Sequence, residues 1–340
     1  MYKLVFYYAG VNRAGSEIAL LRYLKQLKST KGMLLAYGDR STDLSMLDEF
    51  KKYIEVKKID VNSNIEADVA VNGMISRFTS DIFNAIKAKK KIFWVQMNPK
   101  KHGNYMDFER YDCYLTTSEY VRSIILESDK AKGKSICVAQ PIVDAKEIRS
   151  LAIEKLDLKP NSICTIARVC PEKGYDYYIE IAKRLKKKNI DFKWYMIGFT
   201  SEEQDSYDEK LRKIIKENDL VNNIIFVGVV KNPYMYLKNS KINILLSKDE
   251  AWGLAVNEAR ILEVPSIASN NSALKEQIKN GVDGYLVDLP ESDSDYEMIV
   301  NKIIELLNNE SLYESMVKEL KKYKDNTQEI VKKMSEFFNI

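Results

Sequence analysis

The feature that most narrows the fold is an alternation of short apolar runs with stretches of helical periodicity. Apolar runs occur at 3–8, 33–37, 67–72, 91–96, 113–117 and 135–139. Between them apolar side chains recur at helix spacing, as at Leu20, Leu21, Leu24 and Leu27 within 16–27, and helices are expected again at 75–86 and 120–126. Parallel neighbours need a crossover of about a dozen or more residues, usually a helix, so this pattern predicts a parallel sheet covered on both faces. At 162 the series begins again, with runs at 162–167, 192–197, 223–227, 242–246, 266–268 and 284–287 and helices expected at 175–187, 208–218, 254–262, 274–279 and 296–307. A chain of 340 residues suits two domains of about 150 residues better than one. The expectation is α/β, with two doubly wound lobes and a cleft. A strand stopping at Pro141 puts the boundary in Gln140-Pro141-Ile142-Val143-Asp144. The first domain is then expected at 1–143 and the second at 144–320, with a charged helical tail, 321–340, packing back on the first.

Composition removes several classes. Hydrophobic residues make up 45% and charged residues 30%, enough apolar material for two cores. No uninterrupted run of about 20 apolar residues is present to span a bilayer. The apolar start, Leu4-Val5-Phe6, lacks the length and flanks of a signal peptide, so a cytoplasmic protein is expected. Cys113, Cys137, Cys164 and Cys170 form no Cys-x-x-Cys pair, which suits reduced thiols and argues against a cysteine metal site. No Gly-x-Gly-x-x-Gly follows a strand, which argues against a dinucleotide-dependent dehydrogenase. The net charge of +4 is unevenly spread. Lys183, Arg184, Lys186, Lys187 and Lys188 read as a solvated helix end. Lys87, Lys89, Lys90 and Lys91, with Lys100 and Lys101, read either as solvated surface or as a face for anionic lipid head groups, on the inner face of the cell membrane. A nucleic-acid partner is not expected.

In open parallel sheets ligands bind beyond the carboxyl ends of the strands. After the run at 162–167 come Arg168-Val169-Cys170-Pro171-Glu172-Lys173-Gly174, two cations and a glycine ahead of a helix. Arg offers a planar fork of donors and Lys a mobile point charge, a pairing suited to a diphosphate. After 242–246 come Ser247-Lys248-Asp249-Glu250-Ala251-Trp252-Gly253-Leu254, leading to Glu258. A glycine opening a helix leaves N–H groups free for an anion. Two carboxylates flanking that start, Glu250 and Glu258, can each accept from the hydroxyls of a sugar.

Those residues, with Phe226-Val227-Gly228-Val229-Val230-Lys231-Asn232-Pro233-Tyr234 and Glu276-Gln277-Ile278 ahead of Gly281-Val282-Asp283-Gly284-Tyr285, resemble the retaining GT-B glycosyltransferases that build bacterial polysaccharides and glycolipids. Asn12-Arg13-Ala14-Gly15-Ser16-Glu17 and Ile92-Phe93-Trp94-Val95-Gln96 are similar to the same family's first half. The resemblance implies two Rossmann-like doubly wound domains facing across a cleft, an acceptor-side first domain and a donor-binding second. It implies Arg168 and Lys173 on the diphosphate, Glu258 on the ribose and Glu250 on the transferred sugar. It places Trp252, Gly253 and Leu254 N–H groups on sugar and phosphate, Val229 and Val230 beside the base, and Gly15, in the turn before the first helix, on the nucleotide-sugar. The donor is a nucleotide diphosphate-sugar, UDP favoured, the acceptor a glycan or lipid-linked glycan, and no metal or other cofactor is implied. The family carries a histidine where this chain has Gln96, so either Gln96 contacts the donor sugar, or His102, the chain's one histidine, substitutes, or the chain is a non-catalytic partner that binds nucleotide-sugar. An epimerase or phosphorylase of the same architecture fits the short chain less well. Asp293-Ser294-Asp295 is similar to the metal clamp of the other main glycosyltransferase fold, but acids ahead of a helix also read as caps.

Overall fold

The structure, a computed structural model, describes residues 1–73, 79–101, 108–200 and 204–340. Two units divide the chain: Met1–Val143 with Asn326–Ile340, and Asp144–Asp325.

The first unit holds a seven-stranded sheet of β1 (Tyr2–Tyr8), β2 (Met33–Tyr37), β3 (Glu55–Lys58), β4 (Ile65–Asn72), β5 (Ile86–Val95), β6 (Cys113–Thr116) and β7 (Ser135–Val138). Its order is β3-β2-β1-β4-β5-β6-β7, and every pairing is parallel. The last five residues of β1 are all buried, because a central parallel strand has a layer on each face. The layers come from α1 (Gly15–Gln26), α2 (Leu44–Lys51), α3 (Thr79–Asn84) and α4 (Glu119–Leu126). One more helix, Thr327–Phe338, joins them from the far end of the chain. Its Ile330, Val331, Met334 and Phe338 are buried in the core of this unit. Phe338 stacks edge-on against Phe6 at 5.8 Å, and Tyr23 Oη meets Ser335 Oγ at 3.0 Å.

The second unit opens with α5 (Ala145–Leu151) and holds six parallel strands, β8 (Ser162–Ile166), β9 (Lys193–Ile197), β10 (Ile224–Gly228), β11 (Ile242–Leu245), β12 (Ser266–Ser269) and β13 (Gly284–Val287). Its helices are α6 (Tyr175–Lys187), α7 (Asp205–Glu217), α8 (Tyr234–Lys238), α9 (Leu254–Ile261), α10 (Asp293–Asn308) and α11 (Glu310–Leu320), so the returning helix of the first unit is α12. Tyr175, Tyr178, Trp194, Ile242 and Ile303 meet in its core. Trp194 Nε1 donates to Thr165 Oγ1 at 3.0 Å, so this large buried side chain leaves no unpaired donor.

Both sheets wind outward from the middle. In the first, β1 to β3 step one way and β4 to β7 the other; in the second, β8 to β10 step one way and β11 to β13 the other. This is the doubly wound order in which a crevice opens at the carboxyl ends of the two strands flanking the reversal. The switch points are β1/β4 and β8/β11.

Some elements depart from the sequence expectation. The strand expected at 91–96 starts at Ile86, so Lys87, Lys89, Lys90 and Lys91 lie within β5. The helix expected at 75–86 is seen as Thr79–Asn84, and 75–78 lie outside the described residues. β3 was not expected, since Glu55-Val56-Lys57-Lys58 is an edge strand with no apolar run. The helix expected at 274–279 is a 3-10 turn, Ser272–Glu276. Among the described residues no helix is long and apolar enough to cross a membrane.

Candidate functional site

At the β8/β11 switch point the chain leaves β8 through Ala167 and an exposed Arg168, which has no ion-pair partner among the described residues. A 3-10 turn, Pro171–Lys173, follows and ends at Gly174 in the left-handed region, φ +75°. A Cβ on Gly174 would lie 2.3 Å from the Leu246 carbonyl oxygen, so only glycine lets this turn seat against the end of β11. The Lys248 N–H donates to Glu172 O at 2.8 Å and closes one loop on the other. Lys173 Nζ is thereby brought to 2.5 Å from Glu250 Oε1, with 17% and 13% of the two side chains exposed. Ser247 Oγ donates to the same oxygen at 2.9 Å. The Glu250 backbone is pinned as well: its N–H donates to Ser272 Oγ at 3.1 Å, and its carbonyl accepts from Ala273 N at 3.3 Å.

The next helix, α9, opens on Gly253 with φ +86° and ψ +68°. A Cβ there would come within 2.5 Å of Leu274 Cδ2. Among the described residues no side chain caps this helix, so its first N–H groups keep the orphan donors and partial positive charge of a helix start. Gln277 Nε2 donates to the carbonyls of Trp252 and Gly253 and fixes the corner. Among the described residues, Trp252 Nε1 and Gln277 Oε1 are buried without a partner. Leu254 is half-buried at the first position of α9, and Glu258, one turn on, is buried and accepts from Tyr234 Oη at 3.2 Å. Tyr234 opens α8, directly after the loop that carries the exposed Val229 and the half-buried Val230.

Of the residues expected at a donor site, those of the second unit lie beyond the carboxyl ends of β8, β10 and β11, while Gly15 and Gln96 lie in the first unit. Lys173 touches Glu250, and Glu258 is tied to the β10 loop through Tyr234. Sequence reasoning missed Ser272, and it quoted Ser247, Tyr234 and Gln277 within motifs without giving them a role. Ser247 and Ser272 lie close after strand ends, a position that could have marked them. The roles of Tyr234 and Gln277 depend on which loops meet.

Gly15 and Gln96 lie at the β1/β4 switch point of the first unit. Gln96 Nε2 is 3.2 Å from Tyr8 Oη and 3.4 Å from the Gly73 carbonyl. Tyr8 Oη donates onward to Ser16 O at 3.3 Å, and Ser16 Oγ donates to Glu17 Oε2. Glu17 is buried, and its Oε1 accepts from Asn12 N–H at 3.2 Å. Burial raises the Glu17 carboxyl above the usual range despite those donors. Burial, with Glu17 nearby, also holds the Tyr8 hydroxyl protonated far above its ordinary range. His102 lies outside the described residues.

Other candidates are accounted for by local structure. Asp295 forms a capping box with Ser292 at the start of α10, and Asp293 pairs with Arg184 at 2.6 Å. Lys183, Arg184, Lys186 and Lys188 all find carboxylates on neighbouring elements or one turn away. In the other basic cluster, Lys89 pairs with Asp68 at 2.7 Å, Lys100 pairs with Glu127 at 2.7 Å, and Lys90 donates to Phe337 O at 2.7 Å and lies over its ring. The four cysteines are free, and burial pushes all four thiols up, away from reactivity.

Comparison with known proteins gives one family match: the model described as "Glycosyl transferases group 1" covers residues 147–323. Among relatives, the chain is 27% identical over 216 residues to the capsular polysaccharide biosynthesis glycosyltransferase CapM of Staphylococcus aureus, covering 59% of this chain and 54% of CapM. It is 28% identical over 178 residues to the poly(ribitol-phosphate) alpha-N-acetylglucosaminyltransferase of Staphylococcus aureus, covering 51% of this chain and 34% of that one. The chain spans about half the length, or less, of the first curated relatives it matches, at 52, 54 and 34%. Among solved structures, Anabaena HepE in complex with UDP and glucose superposes with a TM-score of 0.78 at 13% identity, over 100% of both chains. The shared fold is GT-B, two Rossmann-like domains.

Proposed function

Because the chain belongs to the glycosyl transferases group 1 family, we propose that it is an enzyme of polysaccharide or glycoconjugate synthesis. In this reading it moves a sugar from a nucleotide diphosphate-sugar to a glycan or lipid-linked acceptor, in the cytoplasm. The observation that carries the reading is the β8/β11 switch point, where Lys173, Glu250 and the uncapped start of α9 converge beside an exposed Arg168. Breaking an anomeric bond leaves new negative charge on the departing diphosphate. Fixed cations and helix-end N–H groups stabilise that charge without needing to reorganise as it forms. Arg168 and Lys173 take the diphosphate, the N–H groups of Trp252, Gly253 and Leu254 hold sugar and phosphate, and Glu250 accepts from the transferred sugar. Glu258 accepts from the ribose, and Val229 and Val230 line the base. UDP is the favoured nucleotide, in keeping with the UDP held by HepE. With the diphosphate and the attacking hydroxyl on one face of the sugar, configuration at the anomeric carbon is retained. Gly15 and Gln96 belong to the first, acceptor-side unit.

Incubation with UDP-, GDP- and ADP-sugars, with EDTA present and with no acceptor added, tests this. Slow release of nucleoside diphosphate from one donor is the expected result. A chain that binds a nucleoside diphosphate yet turns over no donor, with or without acceptor extract, would favour the second reading. That reading is a non-catalytic partner subunit, and it is motivated by Gln96, whose carboxamide cannot transfer a proton. Peripheral contact with anionic membrane is a lesser part of the proposal, since Lys89, Lys90 and Lys100 already have partners. Co-sedimentation with phosphatidylserine vesicles that ignores salt, or that survives Lys87→Ser with Lys89→Ser, counts against it.

A further inference from the structure

Glu250 takes both of its side-chain hydrogen bonds on one oxygen. Lys173 Nζ and Ser247 Oγ converge on Oε1 at 2.5 and 2.9 Å, while Oε2 has no partner among the described residues. The backbone on both sides of the ion pair is anchored. Lys173 sits in a turn locked by the close approach of Gly174 to Leu246 O and by the bond from Lys248 N–H to Glu172 O. Glu250 is held by Ser272 and Ala273. The ammonium therefore meets an incoming diphosphate with its charge already opposed by a carboxylate at contact distance, in a place where 17% and 13% of the two side chains reach solvent. At such burial the opposing charge is only weakly screened.

We propose that Glu250 is the counter-charge of Lys173 and through it sets how tightly this site holds a nucleoside diphosphate. The proposal rests on the donor-site reading above. A bare nucleoside diphosphate meets a Lys173 ammonium already engaged by Glu250 and gains nothing from Oε2. An intact nucleotide-sugar brings hydroxyl donors that Oε2 can accept, and these offset the weakened hold of the cation. The pair thus discriminates between donor and product, which share the same nucleotide and the same cations. It lowers affinity for the product without removing the cation that the leaving group needs.

The test is calorimetric titration of UDP, with GDP and ADP in parallel, into the full chain and three variants. Glu250→Gln keeps the size and an acceptor for Ser247 but removes the charge, and is expected to bind UDP about tenfold tighter. Lys173→Met is expected to bind it more weakly. In the double variant the gain from Glu250→Gln should shrink below about twofold, because the charge it unmasks is absent. Glu250→Asp, which keeps the charge, should stay within about twofold of wild type. UDP affinity in Glu250→Gln that is unchanged or weaker overturns the inference, and so does a gain that persists without Lys173 or appears equally in Glu250→Asp. A wild type that binds none of the three nucleotides overturns the donor-site reading itself. A wild type that binds one of them while Glu250→Gln is no tighter overturns only the counter-charge.

Discussion

A carbonyl oxygen can only accept a hydrogen bond, and that fact fixes the chemistry Gln96 can offer. Its amide faces the Gly73 carbonyl at 3.4 Å, so the group turned there must be Nε2. Tyr8 Oη, which donates to Ser16 O, accepts from the same nitrogen. Oε1 remains, an acceptor with no partner among the described residues. Gln96 can orient a substrate hydroxyl and cannot serve as an acid, a base or an oxyanion donor. Gln96→Ala is expected to lower turnover ~10- to 100-fold with nucleotide affinity unchanged, as for a contact that positions one reactant. Gln96→Glu should do no better, since a carboxylate at this place would face the Gly73 carbonyl and meet a Tyr8 hydroxyl that already feels the charge of Glu17. Steady-state rates together with UDP titration decide the matter: a Gln96→Glu variant as active as wild type would mean that a carboxylate is tolerated here and that the amide nitrogen facing the Gly73 carbonyl is not needed.

Elements differ in how plainly the sequence announces them. Central strands such as β1, β4 and β11 were legible because burial on both faces demands a continuous apolar run. Helix α6 was legible because Tyr175, Tyr178, Ile179, Ala182 and Leu185 fall on one face. The edge strand β3 was silent, and so was the extension of β5, where the exposed Lys87 and Lys89 alternate with Ala88 and Lys89 pairs with Asp68. The donor-side residues were legible as positions after strands, but their contacts were not. That Lys173 would meet Glu250, 77 residues on, depends on β8 and β11 being neighbours, which follows from the strand order and not from any local pattern. The corner at Gly253 shows how much one element can hang on one residue. Gly253→Ala puts a methyl into the left-handed region and into Leu274, so a cost of about 1–3 kcal/mol and a displaced start to α9 are expected. If that start grips phosphate, UDP binding should weaken by more than the loss of thermal stability would suggest. Unchanged UDP affinity with a lowered melting temperature would confine Gly253 to a structural role.

At the scale of the whole molecule, the restart of the strand series at 162 foretold two sheets, and the charged C-terminal tail was expected back on the first domain, although a charged amphipathic helix does not by itself say which core it enters. It enters the first: α11 stays with the second unit, while α12 is counted with Met1–Val143. The first unit is therefore closed by residues at both ends of the chain, whereas the second, Asp144–Asp325, is contiguous and holds the residues proposed for the diphosphate and ribose, with Glu250 for the sugar. This asymmetry has a testable consequence. Ending the chain after Asp325 strips Ile330, Val331, Met334 and Phe338 from the first core, along with the Tyr23–Ser335 hydrogen bond. Loss of one buried Phe costs about 3–5 kcal/mol, and a domain has only about 5–15 kcal/mol to lose, so the first unit is expected to unfold. The second keeps its core, its switch point and the Lys173–Glu250 pair. Scanning calorimetry of the truncated chain should then show a single transition that UDP still raises, with UDP affinity within about twofold of the full chain. If the truncated chain folds but no longer responds to UDP, the nucleotide site draws essential residues from the first unit, and the assignment of donor binding to the second unit alone is wrong.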